Sequence, residues 1–144
     1  MNEPVQSLEN HAKPVPGYLI TVFMIFVPTC YFVYMAVTNF SVGRLAVALF
    51  AIGVMSTVYY SRLFPLGVQD RVIRLEERIR MKELLPDDLK SRISEFTTDQ
   101  LIGLRFASDE ELPDLARQVL DGGISGRADI KKAVSSWRAD HERI

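Results

Sequence analysis

Residues 18–38 read YLITVFMIFVPTCYFVYMAVT, and residues 44–62 read RLAVALFAIGVMSTVYYSR. These two runs decide the fold class. The first is 21 residues long, and about 20 helical residues cross the roughly 30 Å of hydrocarbon in a bilayer. The second keeps 17 uncharged residues between Arg44 and Arg62, the short end of a span. No residue from Pro14 to Gly43 is charged, whereas the chain from Arg62 to Ile144 holds 15 of the 17 basic and 16 of the 18 acidic residues. A net charge of −1 conceals that division. One half suits an apolar solvent and the other suits water.

The details around the runs fit two transmembrane helices. The first run is too long for the core of a signal peptide, and only Lys13 supplies a basic start, so it reads as retained. Pro14 and Pro16 suit a helix entry, where amide donors are already unpaired. Pro28 lies in mid-span and predicts a kink, with Thr29 or the second helix satisfying the freed carbonyl. Asn39, Ser41 and Gly43 supply a turn so short that the two helices are antiparallel neighbours. Arg44 and Arg62 bracket the second span and can snorkel to headgroups, with Tyr59 and Tyr60 as interfacial anchors. Ala46, Gly53 and Thr57 form a small-residue face, assigned to packing within the hairpin ahead of a dimer contact. The sole cysteine, Cys30, lies inside the first run and reads as apolar filler.

Basic residues set the expected orientation. Arg62, Arg71, Arg74, Arg78, Arg80 and Lys82 follow the second span, against Arg44 alone in the hairpin loop. The positive-inside rule then puts both termini of this multi-pass membrane protein in the cytoplasm.

Beyond the hairpin the pattern is helical throughout. Pro65 and Gly67 predict a break, followed by a new amphipathic helix from Val68. Val68, Val72, Leu75 and Ile79 recur at spacings of four, three and four, a d-a-d-a heptad seam. Asp70–Arg74 and Glu76–Arg80 stand at the spacing of favourable ion pairs. Three uses of this helix stay open: packing on its own domain, which leads, pairing with a second copy, or lying on anionic headgroups. Leu85-Pro86 ends it. A short helix carries Asp87 and Asp88 in its first turn, with Leu89 and Ile93 apolar. Thr97 or Thr98 opens the next, whose Leu101, Ile102, Leu104 and Phe106 mark it as the central buried helix. Ser108 and Glu111 form a capping box before Leu112, Leu115, Val119 and Leu120, and Gly122-Gly123 stop that helix. A last helix from Ser125 or Gly126 presents Ile130, Ala133, Val134 and Trp137 as one apolar face.

The expected fold is therefore all-α: a transmembrane helical hairpin followed by a small cytoplasmic helical domain of four to five helices. Its expected parts are an N-terminal tail (1–16), the hairpin (17–64), a juxtamembrane amphipathic helix (65–85) and the helical domain (86–144). Charge divides the cytoplasmic part. Residues 62–82 hold six bases against three acids, 83–121 four against ten, and 122–144 five against three. The basic end faces the anionic leaflet.

No catalytic, cofactor-binding or metal-binding constellation is expected. His11 and His141 lie at opposite ends without ligand-spaced partners. Residues 122–126, GGISG, lack the lysine of a phosphate-binding loop. The acidic pairs at 87–88 and 109–111 stand at helix starts, where capping explains them. A slightly acidic domain also lacks the basic footprint of a nucleic-acid binder, although Arg127, Lys131, Lys132 and Arg138 sit near Trp137.

The stretches QDRVIRLEERIRMKELLP (69–86), QLIGLRFASDEELPDLARQVL (100–120) and IKKAVSSWR (130–138) resemble a bacterial family of small two-span membrane proteins of uncharacterised role. The resemblance covers nearly the whole chain. It implies a double-spanning inner-membrane protein and transfers no catalytic residue. Gly103 stands where the family pattern favours alanine, and the tail RADHERI (138–144) departs from it. The expected function is a non-enzymatic membrane protein anchoring a helical interaction domain, as scaffold or accessory subunit. The alternatives are a subunit of a membrane enzyme or transporter complex, or a module binding anionic lipid. The expected partners are the bilayer, a protein partner or second copy, and anionic headgroups. The candidate interaction residues are Arg74, Glu76, Glu77, Arg78, Asp109, Glu110 and Glu111.

Overall fold

The computed structural model describes residues 15–139. The expectations for His11, His141, most of the N-terminal tail and the end of the C-terminal tail lie outside those residues. The described chain is helical throughout, apart from one isolated antiparallel bridge between Ala107 and Trp137. Its elements are α1 (Pro16–Thr38), α2 (Val42–Leu84), α3 (Asp87–Lys90), a 3-10 turn (Ile93–Glu95), α4 (Thr98–Leu104), α5 (Leu112–Leu120) and α6 (Arg127–Ala133). Two compact units meet between Gly67 and Val68.

In the first unit, α1 and the first part of α2 form a hairpin. Both helices are long and apolar enough to cross a membrane. The Ser41 hydroxyl accepts from the Arg44 amide at 3.2 Å, capping the first turn of α2, and the Arg44 guanidinium donates to the Asn39 carbonyl. Buried positions are few and small: Thr29 and Ala36 on α1, Ala48 on α2. Large apolar side chains such as Phe23, Met24, Val37 and Phe50 point outward.

Three expectations for these helices change. In α1, which extends through Pro28, the Thr29 hydroxyl donates to Ile25 O at 2.8 Å. It does not serve the Met24 carbonyl, which the missing proline amide leaves open, because a hydroxyl on the helix reaches back to i−4 most directly. The expected break at Pro65 and Gly67 is absent, and α2 continues through both. Pro65 removes only one helical donor, and its neighbours Leu63, Phe64 and Leu66 offer no side chain that could cap a break. Finally, Ala46, Gly53 and Thr57 do not pack within the hairpin. All three are exposed, and a Cβ at Gly53 would meet nothing within 4 Å. The buried residue in this part of α2, Ala48, lies on the opposite face.

The second unit closes around one core of Met81, Leu85, Leu89, Ile93, Phe96, Leu101, Leu104, Phe106, Leu112, Leu115, Val119, Ile130 and Val134. α4 is its centre, with Leu101, Ile102, Gly103 and Leu104 all buried. Its start carries a complete capping box, in which Thr97 and Gln100 each satisfy the other's backbone amide. α6 approaches so closely that a Cβ on Gly103 would lie 2.9 Å from Ile130 Cβ and Cγ2. The glycine admits this crossing, so alanine would not serve better here.

α5 ends in a Schellman turn. Gly122 takes φ +79°, its amide bonds Val119 O, and the Gly123 amide bonds Gln118 O. The last helix is shorter than the apolar spacing predicts. α6 stops at Ala133, Val134 is extended, and Trp137 sits in the bridge to Ala107. Ser108 N–H donates to Ser136 O at 3.0 Å and Arg138 N–H to Phe106 O at 2.8 Å. A carboxylate, described below, takes the amides that another helical turn would have used.

Candidate interaction surface

Within the second unit, α2 has two unlike faces. Ile73, Glu77, Met81 and Leu85 recur every four residues and are buried, Met81 and Leu85 within the core of the domain. Val68, Val72, Leu75 and Ile79, the heptad seam, are 59%, 48%, 62% and 52% exposed. The sequence reading favoured packing of this helix on its own domain; the helix does so, but through Met81 and Leu85, and the seam stays outside. The inward face includes a glutamate, which hydrophobic periodicity counts as an outward residue.

Glu77 is buried because cations meet it. Arg80 Nη1 donates to Glu77 Oε2 at 3.1 Å, and Arg138 Nη1 lies 3.6 Å from Oε1. Burial pushes the Glu77 carboxyl above its ordinary range, against the lowering pull of Arg80, Arg138 and Arg105. The rest of the Arg80 fork is also used. Nε and Nη2 donate to Asp109 Oδ1 at 2.9 and 2.7 Å, and Nη2 donates to Ala107 O at 2.7 Å. One guanidinium thus ties α2 to the loop between α4 and α5. The expected Glu76–Arg80 pair is replaced by these contacts. Among the described residues Asp70 and Arg74 form no ion pair either.

Glu111 is the second carboxylate turned inward. Its Oε1 accepts from Ser135 N and Oγ at 2.9 and 2.6 Å, and its Oε2 accepts from Ser136 N at 3.0 Å. The Ser108 half of the predicted capping box forms, with its hydroxyl accepting from Glu111 N at 3.3 Å. The Glu111 side chain, by contrast, leaves the helix start and holds the segment after α6. Partial burial raises its pKa, but the Ser135 hydroxyl and the Ser135 and Ser136 amides overcome this and hold the carboxyl below its ordinary range.

The seven candidate interaction residues therefore divide. Glu77, Asp109 and Glu111 are used internally. Glu76 and Glu110 are exposed, and Arg74 and Arg78 are half-buried. Of the basic residues near Trp137, Lys131 is buried, Arg127 is half-buried, and Lys132 and Arg138 are exposed. Lys131 Nζ and Arg105 Cζ lie 4.8 and 4.5 Å from the Phe106 ring centroid, and the Trp137 ring packs on Phe106 at 4.8 Å. In the hairpin unit, Tyr59 and Tyr60 are exposed and meet edge-to-face at 5.3 Å, and Arg62 lies over the Tyr18 ring at 5.8 Å.

What stands open on this domain is one apolar stripe on α2. An exposed apolar stripe of this kind suits contact with another surface. The sequence reading found its residues but assigned them inward. No curated protein and no solved structure matches the chain. A family model matches residues 1–144, and the chain belongs to that family of unknown function (DUF6526).

Proposed function

We propose that the chain is a two-span bacterial inner-membrane protein that carries its helical domain as a non-enzymatic interaction module. The observation that carries this reading is the pairing of an outward-facing apolar hairpin with an outward-facing apolar stripe on α2. In water the exposed apolar faces of α1 and α2 would be costly, whereas hydrocarbon solvates them. The stripe from Val68 to Ile79 belongs to a charged domain, so a protein surface suits it better than lipid tails. Arg62, Arg71, Arg74, Arg78, Arg80 and Lys82 against Arg44 support cytoplasmic termini.

Carbonate extraction of native membranes, with reporters fused to the C-terminus, tests the anchoring and its direction. The chain stays in the membrane pellet, and only a reporter active in the cytoplasm gives signal. Release by carbonate overturns the anchoring, and signal from an externally active reporter overturns the orientation. Crosslinking in native membranes followed by purification in mild detergent tests the interaction role. Recovery of neither a partner nor a self-dimer overturns it.

A further inference from the structure

The α2 seam has the chemistry of a two-stranded parallel coiled coil, and we propose that its occupant is the seam of a second copy of this chain. The inference rests on the membrane-anchored reading above and deepens it by naming the partner.

The first argument is the choice of apolar residues. In heptad terms Val72 and Ile79 occupy a positions, and Val68 and Leu75 occupy d. β-branched residues at a with leucine at d, here Leu75, favour two parallel strands. All four are exposed on the face opposite the buried Ile73, Met81 and Leu85, so the domain leaves the seam open.

The second argument is charge. Arg71 and Arg78 take the g positions beside the seam, and Glu76 and Glu83 take the e positions. In a parallel dimer each g residue faces the e residue five places on in the partner. That brings Arg71 to Glu76 and Arg78 to Glu83, four attractive pairs across a two-fold axis. An antiparallel pair would set arginine against arginine and glutamate against glutamate. Among the described residues, none of these four side chains makes an ion pair or hydrogen bond within its own chain.

The third argument is the anchor. Two copies inserted in one bilayer with the same topology present α2 in the same direction, as the charges require. Two heptads are short for association in free solution. Here the helix is already built into a folded domain, and confinement to a membrane raises the effective concentration. Lys82 at the next d position ends the seam.

Site-directed crosslinking of the full chain in native membranes tests the proposal. In a Cys30→Ser background, Val68→Cys and Ile79→Cys are introduced singly, with Ser91→Cys as an exposed position off the seam. Homotypic disulfide dimers at 68 and at 79, and none at 91, are the expected result. Leu75→Glu abolishes them, and Arg71→Glu lowers them about tenfold through repulsion with Glu76. Adding Glu76→Arg to Arg71→Glu restores them.

Three results overturn the dimer: no crosslink at either seam position, a crosslink only in a mixture of the 68 and 79 variants, or indifference to the charge swap. If the chain is monomeric but copurifies with another protein, the interaction module stands and the self-pairing falls. If carbonate releases the chain, the anchored reading itself falls.

Discussion

Glu111 Oε1 accepts from both the amide and the hydroxyl of Ser135, at 2.9 and 2.6 Å, across 24 residues of chain. Oε2 takes the next amide, that of Ser136, at 3.0 Å. This one carboxylate ends α6 and holds the segment bearing Trp137 against Phe106.

Glu111→Ala is expected to destabilise the domain by about 1–3 kcal/mol, because amide donors lose a charged acceptor. The only tryptophan, Trp137, packs on Phe106 and reports unfolding by fluorescence of the full chain in mild detergent. The Glu111 carboxyl is held below its ordinary 4.5. Its contribution is therefore present above that value and lost as the pH falls through the lower, folded-state value. A Glu111→Ala penalty that stays constant through that acid window contradicts the assignment.

Arg80→Ala removes the main partner of a buried carboxylate and leaves Glu77 with Arg138 at 3.6 Å. We expect a loss of about 3–5 kcal/mol. Asp109→Ala, at a carboxylate 59% exposed, costs about 1 kcal/mol or less. Arg80→Lys recovers little, since an ammonium cannot reproduce the fork to Glu77, Ala107 and Asp109. Urea titrations of the three variants, read through Trp137, check this order.

Glu77 has the opposite pH dependence to Glu111. Burial raises its pKa above 4.5 in the folded protein. Its contribution is fully present below the ordinary value and declines as the pH rises through the folded-state value. The stability advantage of the native protein over Glu77→Gln should therefore shrink with rising pH in that window. Urea midpoints measured across it show whether the gap narrows or widens, and widening contradicts the burial argument.

Gly103→Ala places a methyl 2.9 Å from Ile130 Cβ and Cγ2. Alanine favours the helix by about 1 kcal/mol, but overpacking a core costs about 1–3 kcal/mol. We expect net destabilisation, visible as a lower urea midpoint. A more stable Gly103→Ala protein would show that α4 and α6 separate at little cost.

Gly122→Ala is expected to cost about 1 kcal/mol, since alanine is strained at φ +79°. Gly53→Ala in the hairpin, where a Cβ meets nothing, is expected to leave hairpin packing unchanged. Thermal melts of the two variants beside the native protein separate a left-handed glycine from an open one.

Local chemistry determined much of this protein. Apolar length marked the two spans, and Leu85-Pro86, Thr97 or Thr98, and Gly122-Gly123 marked helix ends, because caps and breakers act within a few residues. The heptad seam was also legible, since its spacing is a property of the chain alone. Tertiary structure decided which face of α2 turns inward. Arg138 reaches Glu77 from beyond α6, and Arg80, one turn along α2, ties the same face to Asp109, so a charged residue is buried while the seam is left outside. It likewise decided that Glu111 holds Ser135 and Ser136 after α6, and that Gly103 is needed where α4 meets α6. The last two depend on partners at least 24 residues away in the chain, and the first on Arg138 and Asp109 as well as the nearby Arg80, beyond the reach of any local pattern.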